Sequence, residues 1–137
     1  FSSNQNNDGT VLTLENRNTG GKKLMAKDPN ELLEDMNGGF AKLQDDCPEL
    51  MGAFVKMDQA AYVEGELERK HKELIGLAIA LFTRCEYCIT LHIKQALSEG
   101  ASREEILEAC SVAVAFGGSP AMAYLSTTVM SALETFE

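Results

Sequence analysis

Apolar residues recur along most of this chain at three- and four-residue intervals, the spacing that places them on one face of a helix. No segment alternates between apolar and polar residues as a half-buried strand does. Helix-start signals occur at Asp28-Pro29, at Pro48, in the capping box from Ser102 to Glu105, and at Ser119-Pro120. Gly100 and the pair at 117–118 indicate helix ends. The pattern predicts an all-α fold, a single domain of about six helices over residues 28–137, whose helices begin near residues 29, 48, 67, 85, 102 and 119.

The first 27 residues differ in composition from the rest of the chain. They are poor in large apolar side chains and rich in Asn, Ser, Gly and Thr. Val11, Leu12 and Leu14 could form a short strand or pack as an arm. We therefore predict that residues 1–27 form a flexible N-terminal tail or arm outside the helical domain.

The strongest candidate chemistry lies in residues 85–92, where Cys85 and Cys88 form a C-x-x-C pair and His92 follows four residues later. In a helix these three side chains share one face, since residues three and four apart are neighbours. The pair would lie at the amino-terminal end of that helix, where the positive end of the dipole lowers the pKa of a thiol. Two thiols and an imidazole supply a nucleophile, a resolving group and a proton carrier for dithiol–disulfide chemistry.

The same residues have other interpretations. Cysteine is often buried as a small hydrophobe, and a histidine on an apolar face is commonly a core residue. A zinc site is chemically reasonable with this pair, His92 and a fourth ligand drawn from Cys47, Cys110 or Glu73. Structural zinc usually draws on a second pair of closely spaced ligands, however, and the sequence has none. We predict no metal and no cofactor, and we place His71, in a run of charged residues, on the surface.

Charge and composition restrict the partners. A net charge of −9 argues against nucleic acid and anionic membranes. No apolar run reaches the ~20 residues that span a bilayer, and the stretch 74–82 is predicted to be a buried core helix. The fifth helix is expected to bury Val112 among its apolar residues.

Because Cys47 and Cys110 are isolated, the four cysteines do not indicate a disulfide framework, and a reducing, cytoplasmic location is predicted.

A wider pattern surrounds the cysteine motif. Glu73 is followed by eleven residues and then by C-x-x-C-x-x-x-H, and segments 99–106 and 117–121 match further. This constellation resembles the alkylhydroperoxidase D-like branch of the carboxymuconolactone decarboxylase family, strongly over residues 73–124 and weakly over 28–72. The resemblance implies an all-helical fold that assembles as trimers or hexamers. It also implies a redox pair of Cys85 and Cys88, and a proton relay of Glu73 and His92.

One position departs from the family pattern. The best-known members have a histidine between the two cysteines, and this chain has Tyr87 there, which we take as an auxiliary group. His92 lies one turn beyond Cys88 and can accept its proton, while Glu73 can orient the imidazole. The helix dipole favours Cys85 as the activated thiol, whereas the proximity of His92 favours Cys88. We take Cys88 as the base-assisted thiol and Cys85 as its partner.

These observations predict a thiol-dependent peroxidase or disulfide oxidoreductase. Its substrate would be a small hydroperoxide or a dithiol or disulfide, and its reductant a protein or lipoyl-type dithiol. Two alternatives are a decarboxylase acting on a carboxylated lactone, like the founding family members, and a non-enzymatic helical assembly protein. The broad apolar faces of the third to sixth helices, together with the resemblance, predict a homo-oligomer, either a trimer or a hexamer.

Overall fold

The computed structural model describes residues 27–137. In chain order, its elements are α1 (Pro29–Asp46), α2 (Pro48–Tyr62), α3 (Arg69–Thr83), α4 (Glu86–Ser98), α5 (Arg103–Tyr124), a π-helical turn (Leu125–Val129) and α6 (Met130–Phe136). No strand occurs among the described residues, and the predicted all-α single domain is confirmed. The predicted tail, residues 1–27, lies outside the described residues except for its last residue.

Local signals define several helix ends where the sequence predicts them. At the start of α1, the Asp28 carboxylate accepts a hydrogen bond from the backbone N–H of Asn30 at 2.8 Å. At the start of α5, the Ser102 hydroxyl accepts from the N–H of Glu105, and the Glu105 carboxylate accepts from the N–H of Ser102. Gly100, with φ +83°, follows α4. These bonds satisfy terminal backbone groups that a helix leaves without partners, so the boundaries follow from nearby residues.

The boundary between the fifth and sixth predicted helices takes a different form. α5 runs over Arg103–Tyr124, but Gly118 inside it has φ 61° and ψ −151°, outside the helical region. Glycine adopts this conformation without a steric penalty, and Pro120 lacks the N–H that would bridge the break. The predicted division is therefore present as a kink. The π-helical turn before α6 was not predicted, because widening a single turn hardly changes the spacing of apolar residues.

The core lies between α3, α4 and α5, and α6 packs against α4. Leu77 and Leu81 of α3 and Ile89 and Ile93 of α4 are completely buried. Burial of each such side chain contributes roughly 1.5–3 kcal/mol, so the placement of α3 beside α4 is strongly determined. By contrast, α2 buries only Met51. The fold therefore fixes α3 and α4 firmly and carries α2 at its periphery.

One side of α3 is left open by the described residues, so the prediction of a fully buried helix over 74–82 is wrong. Ile75, Ile79 and Phe82 are 50%, 59% and 51% exposed. On α5, Val112, also expected to be buried, is 56% exposed, and Phe116 is 81% exposed. We call these five residues the α3–α5 face, and four of them line an apolar groove of about 240 Å³. The physical reason is that α3 has apolar residues on all of its sides, whereas α4 and α5 cover only some of those sides.

The expectation that no stretch is long and apolar enough to span a bilayer needs correction. Arg103–Phe136, 34 residues long, meets that condition by length and composition. Gly118 breaks this stretch, and Cys110, Val129 and Leu133 within it belong to the core. Core helices of other proteins meet the same condition, so the stretch is weak evidence for a membrane span.

The homo-oligomer stays a prediction, and the α3–α5 face gives it a test. We expect light scattering at micromolar concentration to give a multiple of 14.9 kDa, because a second copy would cover this apolar surface. Phe116→Glu should lower the measured mass, since its carboxylate would be desolvated in the contact. Met57→Glu, which changes a 63% exposed side chain on α2, is the control and should leave the mass unchanged. A single-chain mass for the unmodified protein would contradict the prediction.

Candidate active site

The turn between α3 and α4 places the two cysteines. α3 ends in a Schellman arrangement, in which the N–H of Cys85 donates to the carbonyl of Ala80 at 3.0 Å and that of Arg84 to Leu81 at 3.2 Å. Arg84 has φ 59°, the left-handed conformation usually taken by glycine at this position. The chain reverses within two residues, so α4 begins directly beside α3 and Cys85 becomes its N-cap.

Cys85 and Cys88 are joined by a disulfide, and their Cα atoms are 5.3 Å apart. This separation is within the usual range for a disulfide, so the bond forms within the first turn of α4. The sulfur of Cys85 also accepts a hydrogen bond from the N–H of Cys88 at 3.2 Å. In the reduced protein, that N–H and the positive end of the α4 dipole would both stabilise a thiolate on Cys85.

Glu73 of α3 and His92 of α4 form the centre of the site. Nδ1 of His92 is 2.8 Å from Oε2 of Glu73, whose side chain is completely buried, while that of His92 is 14% exposed. Nε of Arg69 lies 3.5 Å from Glu73 and 3.3 Å from Glu99. The Gln95 amide, oriented so that its nitrogen faces the carboxylate, donates to both Glu73 oxygens at 2.9 and 3.3 Å. A buried carboxylate requires such partners, because an unpaired buried charge is strongly destabilising.

These contacts assign roles to the two ring nitrogens of His92. Because a carboxylate of Glu73 accepts the hydrogen bond, Nδ1 carries the proton. Nε2 therefore carries the lone pair of the neutral ring and is the basic nitrogen. His92 follows Cys88 by one helical turn, and in the disulfide form neither sulfur is hydrogen-bonded to it among residues 27–137. An imidazole oriented in this way can act as a general base for the two cysteines once their disulfide is reduced.

Sequence reasoning missed three residues of this cluster, Arg69, Gln95 and Tyr62. Tyr62, the last residue of α2, has its ring centroid 5.6 Å from that of His92, with the planes at 23°. Its hydroxyl oxygen is 3.5 Å from Nε2. Burial, followed by the negative charges of Glu73 and Asp58, raises the pKa of Tyr62, so its hydroxyl is protonated at neutral pH. The one sequence signal for such a contact is Gly76, a glycine inside an apolar helix, which indicates a close approach of another group.

The other predicted residues lie apart from this cluster. Tyr87 is 38% exposed and lines a groove of about 200 Å³ with residues of α1. Cys47 is exposed between α1 and α2, Cys110 is buried in α5, and His71 is on the surface as predicted. Within the described part of the chain, no three His, Cys, Asp or Glu side chains are grouped so that they could hold a metal ion. The zinc set considered from the sequence is therefore not assembled there.

Known proteins resemble this chain in both sequence and fold. A profile of the carboxymuconolactone decarboxylase family matches residues 48–128, more than half of the chain. The chain belongs to the carboxymuconolactone decarboxylase family. The resemblance predicted from the motif is confirmed, and its alkylhydroperoxidase D-like branch is consistent with the match. Because the match begins at residue 48, α2 and Tyr62 belong to the family domain together with the cysteine motif.

Several bacterial proteins resemble the chain over most of its length. An uncharacterised protein of Cupriavidus necator is 34% identical over 102 residues, which are 74% of this chain and 90% of that protein. A family member from Legionella pneumophila, 33% identical, has a structure with a TM-score of 0.77, covering 82% of this chain and 100% of that one. Another from Thermotoga maritima, for which a part in the antioxidative response has been suggested, is 33% identical with a TM-score of 0.69, covering 77% and 89%. The helical fold is thus the fold of the family.

The four cysteines should differ in reactivity. Burial raises the pKa of Cys110 to about 12, so this thiol stays neutral at mildly alkaline pH and should resist alkylation by iodoacetamide. The exposed Cys47 should be alkylated. Cys85 and Cys88 should react only after dithiothreitol has reduced them. Peptide mass spectrometry checks this, with the reduced, denatured protein as the control in which all four react. Labelling of Cys85 or Cys88 before reduction would contradict the disulfide.

Proposed function

We propose that this protein is a thiol-dependent oxidoreductase, whose Cys85–Cys88 pair reduces a small hydroperoxide or a disulfide. The observation that carries the proposal is the position of the disulfide, one helical turn before a histidine that binds a completely buried glutamate. Cysteines that only fill the core would not need a hydrogen-bonded histidine and glutamate beside them. Burying the charge of that glutamate opposes folding. The suggested part of the Thermotoga maritima relative in the antioxidative response supports the same chemistry.

The proposed peroxidase cycle uses both cysteines and His92. In the reduced protein, Nε2 of His92 accepts the thiol proton of Cys88. The thiolate attacks the terminal oxygen of the hydroperoxide, an S–O bond forms as the O–O bond breaks, and the leaving alkoxide takes the proton and departs as an alcohol. Cys85 then attacks the sulfenic sulfur, the disulfide forms and water leaves. Two electrons and two protons from an external dithiol restore both thiols.

The two cysteines have different roles because their surroundings differ. Cys88 is one turn from His92, so it is the thiol that the base assists. Cys85 accepts the N–H of its partner at the helix start, so its thiolate is stabilised without a base. When an external thiol attacks the sulfur of Cys88, the stabilised thiolate of Cys85 is the better leaving group. Cys88 is therefore the attacking residue and Cys85 the resolving one.

The proposed cycle also requires an external reductant and a suitable compartment. Since both electrons enter through the disulfide, the cycle needs no resident cofactor, and we propose a protein or lipoyl-type dithiol as the external reductant. A cytoplasmic location fits, because a reducing compartment returns the pair to thiols.

The family profile favours one alternative, decarboxylation of a carboxylated lactone. That reaction leaves the disulfide without a role. It would be favoured if the double variant Cys85→Ser, Cys88→Ser turned over such a lactone. A non-enzymatic assembly protein would show neither that turnover nor peroxide reduction.

Single cysteine variants test the proposed order of events. With peroxide, Cys85→Ser should accumulate a sulfenic acid on Cys88, because serine cannot resolve it, and dimedone labelling with mass spectrometry detects it. Cys88→Ser should form none. Cys47→Ser, at an exposed position outside the site, is the matched control and should turn over peroxide like the unmodified protein. Dimedone on Cys85 instead would reverse the assignment, and no sulfenic acid in either variant would contradict the peroxidase.

His92→Gln tests the base. The amide keeps approximate bulk and polarity but cannot take up the thiol proton, so we expect kcat for peroxide reduction to fall by about a hundredfold or more. Thermal unfolding should show little loss of stability. His71→Gln, on the surface of α3, is the control and should not change kcat. Unchanged turnover in a folded His92→Gln protein would make His92 a packing residue.

A further inference from the structure

The contact between Tyr62 and His92 depends on a gap in the surface of α3. A Cβ at Gly76 would lie 2.5 Å from the hydroxyl oxygen of Tyr62 and 2.9 Å from Cε1 of His92. Any side chain at this position would have to displace both rings. Glycine inside a helix is less favourable than alanine, so helix stability is reduced at the point where the two rings meet.

Lys72 holds the end of α2 over this gap. Its Nζ donates to the carbonyl oxygens of Ala61 at 3.0 Å and Val63 at 2.6 Å, the residues on either side of Tyr62. The last turn of α2 has no basic residue of its own, and a cation at this end is favourable for the helix dipole. α2 buries only Met51, so these two bonds are direct polar contacts that hold the residues on either side of Tyr62 to α3.

We infer that Tyr62 is a positioning residue for His92. The hydroxyl of Tyr62 donates to Nε2 of His92, while the carboxylate of Glu73 accepts from Nδ1. The imidazole is then held at both nitrogens in the disulfide form. The bond to Glu73 sets which ring nitrogen is basic, and the second hydrogen bond, from Tyr62, restrains the direction in which that nitrogen points. The consequence for catalysis, and only that consequence, rests on the proposed function.

The length of the contact suits this role. Nδ1 is occupied by Glu73, so Nε2 is the nitrogen that must accept the thiol proton of Cys88 after reduction. At 3.5 Å, the approach of the Tyr62 hydroxyl is long for a hydrogen bond, so the bond is weak. Tyr62 therefore orients the base before the thiol appears and competes with it only weakly.

Nitrogen-15 NMR of the imidazole in the oxidised protein tests the inference without any assay of activity. In the unmodified protein, we expect a protonated Nδ1 and an unprotonated Nε2 that accepts a hydrogen bond. Tyr62→Phe keeps the stacked ring and removes the hydroxyl, so the Nε2 resonance alone should shift. Tyr124→Phe, at a tyrosine packed against the core, is the matched control and should shift neither resonance. An unchanged Nε2 resonance in Tyr62→Phe would overturn the inference and leave Tyr62 as a packing residue.

A second variant and a kinetic measurement complete the test. Lys72→Met removes the ammonium that holds residues 61–63, so it should shift the Nε2 resonance in the same direction, and no shift would overturn the role of Lys72.

Tyr62→Phe should also lower kcat for peroxide reduction by about tenfold with little change in KM, because misorientation of the base affects the chemical step. Absence of peroxide turnover in the unmodified protein would count against the proposed function, whereas the NMR result decides the role of Tyr62 independently.

Discussion

The hydrogen bond between His92 and the completely buried Glu73 is the contact on which the rest of the site depends. A carboxylate inside the protein must be paired, so Arg69 and Gln95 converge on it from α3 and α4. The same bond joins α3 to α4 and sets the direction of the imidazole. Helical spacing then sets the relation of that ring to Cys88. One buried charge thus links the packing of α3 on α4 with the chemistry at the start of α4.

The second aromatic group of the site comes from outside the cysteine motif. The family pattern that the sequence resembles has a histidine between the cysteines, and Tyr87 stands there instead. In the structure Tyr87 borders α1, while the aromatic ring against His92 is Tyr62 of α2. A substitution inside the motif therefore does not by itself show what surrounds the base. The peripheral helix α2 supplies the ring that lies against His92. Lys72 bonds to the end of this helix, and the absence of a side chain at Gly76 leaves room for the ring.

Much of the fold and part of the site could be predicted because their causes are local. Asp28, the capping box at Ser102 and the spacing of Cys85, Cys88 and His92 each act within a few residues along the chain. The exposed side of α3 could not be predicted, since an apolar helix pattern does not say how many neighbours cover it. Tyr62 was missed because it lies 30 residues from His92 in sequence, and the spacing of apolar residues within one helix does not show which residues of another helix it contacts.

The Schellman ending of α3 keeps the disulfide, the base and its carboxylate within a sequence separation of 19 residues. The entropy lost on closing a loop rises with its length, and folding is faster when contacts are local. The α3–α4 hairpin can therefore assemble its reactive groups without bringing the ends of the chain together. The candidate site is in this sense a property of one helical hairpin, to which α2 adds the ring of Tyr62.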